Sequence, residues 1–175
     1  MFPGIDGEHR WYPPGSGSVA VTLNQKFEAD GHTRIWPWFK VDRVTGLYSL
    51  GDPQDVRDNR VGADGEITRL GRRRGKTVVY EGTIKARTRK ELLECRDVLA
   101  TAFEDMTGEG KMVGSWHGEN PDLGAENPRY FLGRALACEI VDEQTARNHE
   151  RPFVVSVRLS DPHFYVVSGD TLDGP

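Results

Sequence analysis

The sequence predicts a mostly β (α+β) domain: a β-sandwich with one packed amphipathic helix and a projecting basic β-hairpin. Three observations carry this. Short apolar runs alternate with period two, the spacing of half-buried strands. Twenty Gly and ten Pro punctuate those runs, as in a strand-and-turn protein. A single segment, 88–103, changes to helical spacing behind a capping signal.

In chain order, residues 1–17 are rich in Gly and Pro and read as an irregular N-terminal arm. A single domain follows over 18–168, with a C-terminal tail at 169–175. Val19, Val21 and Leu23 alternate with Ala20 and Thr22, giving a first strand. Trp36, Trp38 and Val41 suggest a second, with Pro37 pushing it towards an edge. Gly46 to Leu50 is a short strand candidate, and 51–65 a long loop of turn formers. Glu66–Leu70, the GRRRG turn and Lys76–Ala86 read as a hairpin. In its long second strand Val78, Tyr80, Gly82 and Ile84 share one face.

Thr88 and Glu91 form a T-x-x-E capping box, which satisfies backbone N–H groups that helix geometry leaves unpaired. Leu92, Cys95, Leu99, Ala102 and Phe103 then make one apolar stripe. MTGEG stops the helix before Gly108. Strands are expected at Lys111–Trp116, Tyr130–Val141, Pro152–Leu159 and Phe164–Val167.

No apolar run approaches the ~18 residues of a membrane span. The opening residues lack the basic and apolar regions of a signal peptide, so synthesis in a cytoplasm without export is expected. Cys95 and Cys138 are too few for a disulfide scaffold, and Cys95 reads as a buried free thiol. The net charge of −4 argues against a general nucleic-acid binder. Within 69–90, however, nine basic residues stand against Glu81 alone. A solvated basic hairpin and a surface that docks on an acidic neighbour account for this about equally.

No motif in the sequence carries a convincing chemistry. Gly71 to Thr77 (GRRRGKT) has three residues between its glycines where a P-loop has four, and it leads into a strand rather than a helix. Gly15, Gly17 and Ala20 match G-x-G-x-x-A without a preceding strand. His9, His32, His117, His149 and His163 show no ligand spacing, so no metal is expected. Ser115, His117 and Asp122 lie too close in sequence to converge as a triad. Asp52, Asp55, Asp58 and Asp64 lack the terminal Glu of an EF-hand. The arginines have no interleaved aromatics for base stacking, so specific nucleic-acid binding is not expected. Trp11, Trp36, Trp38 and Trp116 suit a core or subunit interface more than a sugar groove. Neither enzyme activity nor a cofactor follows.

The stretch GADGEITRLGRRRGKTVVYEGTIKARTRKELLECRDVLATAF (Gly62–Phe103) combines a turn, a basic hairpin, a long strand with a central Gly82 and a capped helix. It resembles the N-terminal domain of distal tail proteins of long-tailed, siphovirus-type bacteriophages. RPFVVSVRLSDP (Arg151–Pro162) is similar to that family's closing strand. The resemblance implies a virion tail-tip protein that assembles as a hexameric ring. Such a ring continues the channel of the tail tube protein, through which DNA passes, and holds tape-measure and tail-associated proteins. At this length no additional galectin-like or carbohydrate-binding domain is expected. The subunit interface is assigned to Trp11 in the arm and to Arg72, Arg73, Arg74 and Lys76 at the hairpin tip. Another tail tube, minor tail or connector protein, and a carbohydrate-binding module, remain alternative readings.

Overall fold

The fold was obtained as a computed structural model that describes residues 7–25, 32–47, 56–59, 66–69, 75–114, 129–141, 149–161 and 165–166. It is mostly β with a single helix among the described residues. The strands are β1 (His9–Tyr12), β2 (Val21–Leu23), β3 (Trp38–Thr45), β4 (Val56–Asn59), β5 (Glu66–Arg69) and β6 (Thr77–Lys85). Helix α1 (Arg89–Ala102) follows, then β7 (Gly110–Gly114), β8 (Arg129–Ile140), β9 (Glu150–Arg158) and β10 (Tyr165–Val166).

The pairing closes on itself. Around the sheet the order is β8-β7-β1-β2-β3-β6-β9, and β9 returns to β8. The long β8 makes this closure possible. Its first half, Arg129–Gly133, pairs with β7, while Arg134–Ile140 pairs with β9. The register shift between Ala135 and Ala137 lies in that second half, and bulges of this kind bend strands where barrels turn. Short β10 adds to β8 beside Arg129 and Tyr130. The expected two-sheet sandwich is therefore replaced by one seven-stranded, barrel-like closed sheet, which removes most free edges.

The inward faces follow the alternation in the sequence. In β6, Val78, Tyr80 and Ile84 are fully buried, and Val155 and Val157 of β9 face the same core. Gly82 fills the remaining inward position of β6 because nothing larger fits. A Cβ there would lie 2.2 Å from the Lys40 carbonyl and 2.7 Å from the Phe153 ring.

The β2–β3 seam is the least paired part of the ring, with Leu23 opposite Phe39 as its register pair. Asn24, in the left-handed region at φ 65°, reinforces it. Its backbone N–H donates to the Phe39 carbonyl at 2.6 Å, and its side-chain oxygen accepts from the Val41 N–H at 3.4 Å. Asn tolerates this backbone conformation better than most residues.

Helix α1 begins as the capping signal requires. Thr88 Oγ1 accepts from the Glu91 N–H at 3.2 Å, and the Glu91 carboxylate reaches back to the Arg87 N–H at 2.9 Å. Leu92, Cys95, Leu99 and Ala102 are buried, as is Phe103 at the C-cap. The helix touches β2, β6 and β8, strands spaced around the closed sheet. That is the placement of an element laid across one mouth of a barrel rather than along one face of a sandwich.

Four further expectations are corrected. The arm contains strand β1, because His9 and Trp11 both point inward and are fully buried. The strand that begins at Trp38 is internal, flanked by β2 and β6; Pro37 lies just before it and takes no part in its ladder. The loop expected at 51–65 contains β4. The basic hairpin of Glu66–Leu70 with Lys76–Ala86 does not form. β5 pairs with β4 in a separate two-stranded sheet, Val56 opposite Arg69 and Asn59 opposite Glu66, while β6 lies between β3 and β9. Arg72, Arg73 and Arg74 lie outside the described residues.

Candidate assembly surface

The residues assigned to an interface separate once they are placed. Trp11 is a core residue. Its indole N–H donates to the Ala102 carbonyl at 2.7 Å, and its ring stacks on Phe103 with centroids 5.0 Å apart. Gly110 permits this position, since a Cβ there would sit 2.4 Å from the indole. Lys76 is 4% exposed, and its ammonium donates to the Leu47 carbonyl. Burial lowers its pKa from the usual lysine value. Neither side chain is presented to a neighbour, which leaves Arg72, Arg73 and Arg74 as the part of that assignment outside the described residues.

The described tryptophans, Trp11, Trp36 and Trp38, do not line a groove together. Trp38 is buried, and Trp36 is half-buried with the Arg34 guanidinium 4.8 Å from its ring centroid. The same guanidinium lies 5.7 Å from the Trp38 ring, so Arg34 stands against both aromatics. Trp116, Ser115, His117 and Asp122 are outside the described residues. Buried His9 meets Tyr80 edge-on, with Nδ1 3.5 Å from the hydroxyl, inside the barrel core. Among the described residues no three His, Cys, Asp or Glu side chains gather as a metal site. Cys95 and Cys138 are free thiols, both pushed up to about 11 chiefly by burial. Protonated at neutral pH, they are poor nucleophiles.

Two surface features stand out among the described residues. An open cleft of about 390 Å³ lies beside Tyr12, Pro13, Gly17, Glu109 and Lys111. Gly15 and Gly17, the glycines of the G-x-G-x-x-A match, belong to this loop-lined cleft, and Gly15 takes φ 69° in a turn. A second groove of about 280 Å³ lies where the first two turns of α1 meet β8 and β9. Leu92, Leu93 and Ile140 are its apolar lining and Arg89, Arg96 and Arg151 its basic lining, with one Arg151 guanidinium N–H donating to the Glu150 carbonyl at 2.9 Å. Leu93 is 42% exposed there. Sequence reasoning missed this groove. Arg89 counts within the basic run, but Arg96 and Arg151 are separated along the chain and converge only when the sheet closes.

No family model matches the chain, and no curated protein matches it. Among solved structures it is similar to the SPP1 Dit (gp 19.1) protein, described as a paradigm of hub adsorption apparatus in Gram-positive infecting phages. The TM-score is 0.52 at 13% identity, over 90% of this chain and 52% of that one. This chain therefore spans about half the length of its structural neighbour, and at such low identity the likeness is one of fold.

Proposed function

We propose that this chain is a structural, non-enzymatic subunit of a bacteriophage tail tip. It forms a ring, expected to be hexameric, that joins the tail tube to the tip and host-recognition proteins. The observation that carries the reading is the fold: 90% of the chain superposes on SPP1 Dit, a phage adsorption hub protein. The capped helix and the closing strand quoted from the sequence support it independently of that superposition. In this role the partners are copies of the chain, the tail tube protein, and tape-measure and tail-associated proteins. The site of action is the virion.

Light scattering after size exclusion, together with negative-stain imaging, tests the reading. A closed ring with a central channel is expected. A monomer that binds no isolated tail tube protein and caps no tube would sink it. A subunit that stacked into tubes without closing as a single terminal ring would instead be a tail tube or connector protein. The carbohydrate-binding alternative is weakened by the burial of Trp11 and Trp38, two of the four tryptophans that suggested it.

A further inference from the structure

Two features at opposite ends of helix α1 are complementary in charge, and each carries an apolar side chain exposed to solvent. The first is the groove beside its N-terminal turns, lined by Leu92, Leu93 and Ile140 and by Arg89, Arg96 and Arg151. The second is the turn after its C-terminus. There Glu104, Asp105 and Met106 are all exposed in succession, Met106 by 44%.

That turn is held in shape. The Asp105 carboxylate accepts from the Thr107 N–H at 2.9 Å, the Thr107 hydroxyl at 2.7 Å and the Gly108 N–H at 3.4 Å. These bonds, the Thr107 hydroxyl first, also lower the Asp105 pKa and keep it ionised. Met106 is thus presented beside two acids in a fixed geometry, and such preorganisation limits the entropy lost on docking. Methionine is a side chain suited to an irregular apolar groove.

The charges run against the helix that carries them. A helix N-terminus favours acids and its C-terminus favours bases. Here Arg87, Arg89 and Lys90 crowd the start, beside Glu91. No basic residue occupies the last turn, and Glu104 and Asp105 follow it. Each pole would be relieved by a partner of opposite sign, and a second copy of the chain offers both. From Arg89 to Ala102 the helix rises ~20 Å at 1.5 Å per residue, so a chain's own turn cannot reach its own groove.

We propose that copies of this chain associate head to tail. Met106 of one copy enters the Arg89–Arg96–Arg151 groove of the next, with Glu104 and Asp105 facing its arginines. Arg96 already shares an exposed ion pair with Asp97 at 3.0 Å, a contact weak enough to be exchanged on docking. Because the two surfaces differ, the contact is heterologous and propagates from copy to copy, and it gives the proposed ring when the rotation between copies closes. The inference deepens the ring reading and rests on it.

The test uses the full chain and two double variants. Glu104→Lys/Met106→Lys ruins the turn and leaves the groove. Arg89→Ala/Arg96→Ala ruins the groove and leaves the turn. Each should keep the wild-type circular dichroism and run as a monomer under conditions where the wild type assembles. Mixed in equal amounts they should give a dimer and nothing larger, since each pair holds one intact contact. Assembly of either variant as wild type would overturn the inference and leave the ring reading standing. So would a mixture that stays monomeric while the wild type assembles. A wild type that never self-associates, even at low salt where screening is least, would overturn the inference, and the ring reading would fall with it only if the chain also capped no tail tube.

Discussion

Replacing Trp11 by Phe separates a core role from an interface role at one residue. Phenylalanine keeps an aromatic face for the stack on Phe103 and loses the N–H that reaches the Ala102 carbonyl. That carbonyl ends the helix in a buried setting, and leaving it unpaired costs about 1–3 kcal/mol. The smaller ring leaves a void of roughly 40 Å³, which at about 24 cal/mol per Å³ adds about 1 kcal/mol. The sum is about 2–4 kcal/mol. For a chain of this size each kcal/mol lowers Tm by roughly 2–4 °C, so a fall of roughly 5–15 °C is expected. Circular dichroism melts and urea titrations read it without depending on tryptophan emission. Trp36→Phe is the control: its ring is half-buried against Arg34, and a change within about 0.5 kcal/mol is expected. A Trp11→Phe protein that melts with the wild type but assembles poorly would refute the reasoning. Trp11 would then belong to a subunit contact.

Two other outcomes are expected. Gly82→Ala should lower stability by about 1–3 kcal/mol or more, because the new Cβ meets the Lys40 carbonyl at 2.2 Å, a backbone atom that cannot rotate away; an unchanged urea midpoint would mean that β3 and β6 are not so close. Cys95 and Cys138 should react with a thiol reagent at pH 8 far more slowly in the native protein than in urea. Their folded pKa near 11 lies above the ordinary 9, so the stability they contribute is full below pH 9 and fades as pH rises through 11. Native labelling as fast as in urea, with a urea midpoint flat across pH 9–11, would contradict this.

What the sequence showed was local. The Thr88–Glu91 cap and the stripe from Leu92 to Phe103 lie within sixteen consecutive residues, and both are present as read. The alternation in β6 was equally legible, because a strand with one buried face repeats every two residues. Pairing was not legible. Glu66–Arg69 could join either neighbour in sequence, and a turn of glycines and arginines made β6 the obvious partner; β4 pairs with it instead. Strand β1 was hidden for another reason. Four residues, HRWY, cannot establish a period, and His9 reads as polar although it is buried against Tyr80. The closed sheet depends on β8 serving β7 with one half and β9 with the other, a division that no local pattern announces. The groove depends on that same closure, since it brings Ile140 and Arg151 beside the helix.

Helix α1 ties these levels together. Its poles are charged in the unfavourable sense, at about 0.3–1 kcal/mol per misplaced charge when salt is low. A cap contributing about 1 kcal/mol does not offset several such charges. The helix is therefore held by burial of Leu92, Cys95, Leu99 and Ala102 across the barrel mouth, and by the Trp11–Ala102 hydrogen bond at its far end. Fully burying even one leucine contributes about 1.5–3 kcal/mol, enough to outweigh the poles. Because tertiary packing fixes the helix, its ends are released from the needs of helix stability. They can carry the charges that suit a neighbour: arginines around an apolar groove at one end, an acidic turn bearing an exposed methionine at the other.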